Sequence, residues 1–182
     1  AMLSPIIVPV ASALMSWKTL FDNEGIINKI IQLFGWNTVD FLGGKHAMGF
    51  LIFIFIIKNM GYMLVIFTGA ISSLEKEYKE AFLLDSNSKL KYSFKIVVPL
   101  ITPIIFFVVI FSIINSFQMF REAYGLYENY PPSTAYLLQH FMNNNFLKLN
   151  YQRLSTAAFI LVIGISILIS VFLNFQKKFS EE

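Results

Sequence analysis

The chain has 182 residues, of which 56% are hydrophobic and 14% charged, with a formal net charge of +3. Soluble domains carry about 25% charged residues; here the apolar excess falls in long runs, which indicates a membrane protein. The absence of cysteine excludes disulfides and thiolate metal sites, and lysines gathered in short loops fit membrane orientation better than nucleic-acid binding.

The first predicted element, Met2 to Trp17, begins directly in apolar sequence, with no basic region and no small-residue cleavage site ahead of it. It reads as a span whose beginning is missing, so the chain is expected to be N-terminally incomplete. In the loop Lys18–His46, "EGIINKIIQLFGW" has helical apolar spacing and is expected to lie at the membrane interface. The second span is Ala47 to Ile71, interrupted near its middle by Lys58 and Asn59. A lysine at that depth costs at least ~2.5 kcal/mol on insertion scales, so Lys58 should face a cavity, a partner or water. The third span is Ile96 to Phe120 and the fourth Ser155 to Leu173, each near the ~20 residues that cross hydrocarbon. None of the four alternates with period two, so helices are expected rather than barrel strands. Pro5, Pro9, Pro99 and Pro103 are tolerable where neighbouring helices satisfy the freed carbonyls. Between the last two spans, "STAYLLQHFMNNNF" reads as a short amphipathic helix after the helix-stopping "YPPS".

The loop Ser72–Lys95 carries five lysines, and the C-terminal tail carries Lys177 and Lys178. Four spans put both on one side. The opposite loops hold six basic residues over a longer stretch, so the charged loop and the C-terminus are expected to be cytoplasmic. Ser72 and Glu75 fit a capping box. A helix is expected through "LEKEYKEAFLLD", with Leu74, Tyr78, Ala81 and Phe82 on one face and a Glu75–Lys79 pair on another. Asp85–Ser88 should break it, because these side chains compete for backbone hydrogen bonds. A second helical stretch from Lys89 leads back into the membrane. The residues alone leave two readings open: an apolar face that fills a groove on a soluble partner, or a helix resting on anionic lipid.

No phosphate-binding G-x-x-x-x-G-K-[ST] is present, since Gly43-Gly44-Lys45 lacks the upstream glycine and the hydroxyl. His46 and His140 stand alone and read as interfacial or loop residues; no metal, ATPase or nucleophile site is expected. Ser112, Asn115, Ser116 and Gln118 give the third span a polar stripe. The serines read as helix–helix glue. Asn115 and Gln118, with Lys58 and Asn59, read as lining a substrate path.

The segment from Glu80 to Pro103 resembles the "EAA" signature of binding-protein-dependent ABC importer permeases. Glu80, Ala81, Asp85, Phe94, Ile96, Pro99 and Pro103 match, whereas Phe82 stands for the second alanine, Ser86 for glycine and Asn87 for the next alanine. The flanking "GYMLVIFTGAISSLEKEYKEAF" and "SFQMFREAYGLYENYPPSTAYLLQHFMNNNF" also resemble carbohydrate permeases of the maltose and glycerol-phosphate type. The resemblance covers nearly the whole chain. It implies an all-α transmembrane bundle, residues 1–182 being part of one importer domain. It implies that the loop is a coupling helix seated in a cleft of an ATPase subunit, with Tyr78, Glu80, Ala81, Phe82, Asp85, Ser86 and Asn87 at the contact. ATP and Mg would be bound by that ATPase and not by this chain. The other implied partners are a second, different permease, an extracytoplasmic solute-binding protein, membrane lipid and a sugar, in a bacterial cell membrane. The competing class is a secondary transporter or channel, for which one ionisable residue deep in a span is little support.

Overall fold

The computed structural model describes residues 8–85 and 88–180, in which every regular element is helical. In chain order these are α1 (Val10–Phe21), α2 (Ile26–Leu33), α3 (Ala47–Ser72), α4 (Lys76–Asp85), the single turn α5 (Lys89–Tyr92), α6 (Val98–Phe117), α7 (Phe120–Tyr127), α8 (Leu138–Leu147) and α9 (Tyr151–Ser180). Among the described residues, three segments are long and apolar enough to cross a membrane: Gly44–Ser72, Lys89–Tyr127 and Tyr151–Lys177. The first expected span lies partly outside the described residues. Its described part is α1, which starts after Pro9 and continues to Phe21, beyond the expected end at Trp17. Proline suits this place, because the first N–H groups of a helix have no intrahelical partner.

Two apolar clusters hold the helices together. In the larger, Leu14 of α1 meets Phe50, Leu51 and Ile54 of α3 and Ala123 and Leu126 of α7. Phe21 caps it, with its ring centroid 4.9 Å from that of Phe50 and 5.4 Å from that of Phe41. The smaller cluster lies at the other end of α3, where Ala70 packs with Val97 and Ile101. α9 joins the bundle more lightly, for example through the edge-to-face contact of Phe172 with Phe106 at 5.1 Å. Only 6% of its most apolar window is buried by the chain itself, so most of this helix is left to lipid or another subunit.

The Lys89–Tyr127 segment has 39 residues, about 58 Å of helix, nearly twice what a bilayer core needs. It is subdivided where the sequence demands it. Pro99 has no N–H to offer the Lys95 carbonyl, and ahead of it the ladder widens into a π segment, Ser93–Val97, with the Val98 N–H reaching Ser93. Pro103 lies inside α6. A second break falls at Gln118–Met119, after which the chain resumes as α7.

The amphipathic α2 forms as expected and exposes Ile26, Ile30 and Leu33. Its inner face is pinned by Asn28, which is fully buried. The Asn28 amide donates to the carbonyls of Asp22 and Val39, both at 3.0 Å, and its oxygen accepts from the Val39 N–H at 2.9 Å. One side chain thus ties the α1–α2 turn to the stretch that leads into α3. Gly25, the N-cap of α2, sits where a Cβ would lie 2.6 Å from the Leu20 carbonyl oxygen.

Candidate functional site: the charged loop and a midspan cavity

The loop between the second and third spans folds as a helical hairpin. Ser72 is the last residue of α3 and α4 begins at Lys76, so the expected capping box is not where this helix starts. Instead α3 runs its full length, and the Ser73 hydroxyl donates to the Ala70 carbonyl at 2.8 Å. Glu75 precedes α4, and no ion pair joins it to Lys79 among the described residues. The expected break is present: α4 ends at Asp85, and the Ser88 hydroxyl accepts from the Lys91 N–H to start α5. Ser86 and Asn87 lie outside the described residues.

The apolar face expected for α4 is divided. Leu74, just before the helix, packs on the Ala70–Val97–Ile101 cluster. Phe82 turns back onto Tyr92, with ring centroids 5.5 Å apart. Both are used inside the chain. Tyr78, Glu80 and Ala81 are left exposed, Tyr78 at 44%. The result is a short helix, held at its base and by one aromatic contact, that shows a tyrosine, a carboxylate and a small residue to the outside.

The four residues assigned to a substrate path are brought together. A cavity of about 940 Å³ opens between α1, α3 and the α6–α7 junction, and Lys58, Asn59, Asn115 and Gln118 all line it. Trp17, Tyr62 and Phe111 add aromatic surface. Lys58 is the twelfth residue of α3, about 17 Å from its start and 21 Å from its end, which is midspan. Asn59 satisfies its own amide by donating to the Phe55 carbonyl at 2.8 Å. The Tyr62 hydroxyl is buried and has no hydrogen-bond partner among the described residues. Ser112 and Ser116 do not glue neighbouring helices: their hydroxyls donate to Val108 and Ile113 of their own helix at 2.6 and 2.7 Å. A hydroxyl one turn above a free carbonyl finds that acceptor before it finds another helix.

Lys58 has a partner that the sequence reading placed elsewhere. Its ammonium donates to Oε1 of Glu122, in the first turn of α7. Glu122 is 2% exposed, and its Oε2 is buried without a hydrogen bond among the described residues. Arg121 Nε stands 4.0 Å from Oε1 and is largely exposed. Ending the third span at Phe120 puts Glu122 in the loop that follows it. The α pattern in fact breaks at Gln118–Met119 and resumes as α7, which packs against α1 and α3 and buries this carboxylate. The signal available was a lysine in a span that needed an opposite charge, with one carboxylate just past the next span's end.

His140 is also corrected. It is fully buried, not an interfacial or loop group. Its Nδ1 accepts from the Leu137 N–H at 3.1 Å and so caps α8, and its ring packs edge-on to Phe120 at 5.0 Å. Burial pushes the imidazole below its usual 6.5.

Residues 2–181 match the family model described as binding-protein-dependent transport system inner membrane component, and the chain belongs to that family. It is therefore an inner-membrane permease component of the ABC transporter type, with an all-helical membrane fold. Over 183 aligned residues it is 27% identical to the probable ABC transporter permease protein YesP of Bacillus subtilis (strain 168), covering 93% of this chain and 58% of that protein. It is 29% identical over 117 residues to the sn-glycerol-3-phosphate transport system permease protein UgpA of Escherichia coli O6:K15:H31, covering 64% of this chain and 40% of that one. The chain thus spans 58% and 40% of the lengths of these two relatives. In fold it is similar to a chain of a bacterial ABC transporter involved in the import of the acidic polysaccharide alginate, with a TM-score of 0.86 at 17% identity over 97% of this chain and 63% of that one. A chain of a bacterial alginate ABC transporter in complex with an alginate pentasaccharide-bound periplasmic protein matches with a TM-score of 0.78 at 18% identity, over 98% of this chain and 62% of that one.

Proposed function

We propose that the chain is part of a permease subunit of an ABC importer that moves a sugar or sugar derivative into the cell. The observation that carries this reading is α4: a short helix between two membrane-length segments, in an EAA-like sequence, exposing Tyr78, Glu80 and Ala81. Two internal contacts fix its base, so a push on its outer face is passed to the Ala70–Val97–Ile101 cluster and hence to α3 and α6. ATP and Mg act on a separate ATPase subunit whose cleft receives α4, with Asp85, Ser86 and Asn87 counted among the contact residues. Closure of two such ATPases draws the coupling helices together, and the permease pair changes the side to which its cavity opens.

On this reading α4 and the C-terminal end of α9 are cytoplasmic, and α2 and α8 face the outside. A second, different permease completes the pathway, and an extracytoplasmic solute-binding protein delivers the cargo. A saccharide is favoured by the relatives, which include a glycerol-phosphate permease and an alginate importer, and by a cavity that combines amides with aromatic rings.

The test is Glu80→Lys in the assembled importer, reconstituted in proteoliposomes with the binding protein and a labelled panel of maltotriose, glycerol phosphate and an oligouronate. The wild type should import one of the three only with ATP. Glu80→Lys should insert into the membrane yet lose ATPase co-purification and at least tenfold of its uptake. Full uptake and co-purification in that variant would sink the coupling assignment, and uptake without ATP would instead point to a secondary transporter.

A further inference from the structure

The formal charges on the cavity wall do not balance. Among the described residues the charged side chains that line it are Lys58, Arg121 and Glu122, two cations against one carboxylate. Their exposure widens the imbalance. The Glu122 side chain is 3% exposed, that of Lys58 27% and that of Arg121 60%, so the charge a ligand meets on this wall is positive. The carboxylate is also engaged already, because its Oε1 accepts from the Lys58 ammonium. Arg121 Nε stands 4.0 Å from that oxygen, too far for a hydrogen bond. The guanidinium therefore keeps its planar fork of N–H donors without an acceptor among the described residues. Much of the remaining lining is apolar or aromatic, with Trp17, Phe55 and Phe111 in it.

We propose that Arg121 is a substrate-binding residue of this importer, and that the cavity takes a sugar derivative carrying a carboxylate or a phosphate. The inference rests on the importer reading above and narrows its substrate class. The guanidinium fork matches either group with two parallel N–H···O bonds, so the recognised chemistry is shared by a uronate and a sugar phosphate. An anion that enters a largely apolar cavity loses hydration, and that loss is costly unless a cation with open donors replaces the water. A neutral saccharide has no such need and gains nothing from the unmatched charge. Low-dielectric walls also focus the field of exposed cations, which gathers anions at the cavity. Lys58 acts in the same direction: by holding Oε1 it keeps Glu122 from taking up the donors of Arg121. The amides of Asn115 and Gln118 are left for the hydroxyls of the same ligand.

The assembled importer in proteoliposomes, with its binding protein, ATP and the panel of maltotriose, glycerol phosphate and an oligouronate, tests the proposal. The wild type should carry glycerol phosphate or the oligouronate, and which of the two it carries separates phosphate from carboxylate. Arg121→Gln removes the charge from a side chain that is mostly exposed. It should assemble in wild-type yield and hydrolyse ATP when the loaded binding protein is added, yet move about tenfold less of the anion per ATP, as expected for the loss of a charge-assisted bond. Arg121→Lys keeps the charge without the fork and should lose roughly threefold. Wild-type transport of the anion in either variant would overturn the proposal. So would failure of both variants to assemble, which would make Arg121 structural. A wild type that carries maltotriose alone, with ATP, would overturn it and leave the importer reading standing, whereas one that carries no panel member with ATP would count against the importer reading itself.

Discussion

Asn28 offers the sharpest test of how the outer part of the bundle is held. Asparagine is a mediocre helix former, and here it is the third residue of an eight-residue helix and its one buried residue. Asn28→Ala would remove three hydrogen bonds of 2.9 to 3.0 Å and leave one N–H and two carbonyls to find other partners. Each lost bond is worth about 1 kcal/mol net, and more where water cannot reach the orphaned group. Asp22 is exposed and Val39 half-buried, so water can rescue part of the loss. The expected cost is about 2–4 kcal/mol, or roughly 5–15 °C in the melting midpoint of a protein this size. Asn28→Asp is the control that separates bonding from packing. It has nearly the same volume and still accepts from Val39, but it turns both donor bonds into a carboxylate facing two carbonyls. It should therefore be worse than alanine at pH 7, although it fills the space better. Thermal unfolding of the purified complex in detergent measures both. Midpoints within about 1 °C of wild type for both variants, or alanine worse than aspartate, would refute the reasoning.

Two further predictions concern the same outer region. Burial lowers the pKa of His140 from 6.5, so the folded chain resists a proton that the unfolded chain accepts. Stability from this group is therefore full above the unfolded value, near 6.5, and is lost as pH falls below it toward the folded value. Melting midpoints measured from pH 7.5 to 5 should drop for wild type and stay flatter for His140→Asn, whose side-chain oxygen can replace Nδ1 at the α8 cap; equal slopes would refute the assignment. A Cβ at Gly25 would lie 2.6, 2.8 and 2.9 Å from the carbonyl oxygens of Leu20, Thr19 and Asp22, all backbone. Gly25→Ala should cost about 1–3 kcal/mol. Gly125→Ala, which meets only the flexible end of the Leu14 side chain, should cost less, and the same melts rank the two.

The parts legible in the sequence were those with a strong local cause. Long apolar runs gave the spans that became α3, α6 and α9, though α9 continues to Ser180. Four short polar residues in a row placed the break after Asp85. Lys58 announced that it needed company, because a lone ammonium midspan has no other way to be stable. What was not legible depended on the chain folding back. The break at Gln118–Met119 has no glycine or proline to mark it, so Glu122 looked like the start of a polar loop. Asn28 and His140 look like surface residues by type, and their burial follows from contacts with Val39 and Phe120 that only the tertiary fold supplies.

The two candidate sites differ in how the apolar surface around them is used, and this bears on how they could be linked. At α4 the apolar face is partly consumed: Leu74 and Phe82 are anchored, while Tyr78 and Ala81 are exposed. Leu74 packs on the cluster formed by the end of α3 and the start of α6, and these two helices also carry Tyr62 and Asn115 at the cavity. A displacement of α4 therefore has a packed route to the cavity wall, while Glu122 on α7 lies beyond the break at Gln118–Met119. If α3 shifts against α7, the Lys58–Glu122 pair is the contact that must stretch, since it joins those two elements at midspan. Packed helices have discrete arrangements and do not deform continuously, so such a shift breaks the pair or leaves it intact and does not loosen it by degrees.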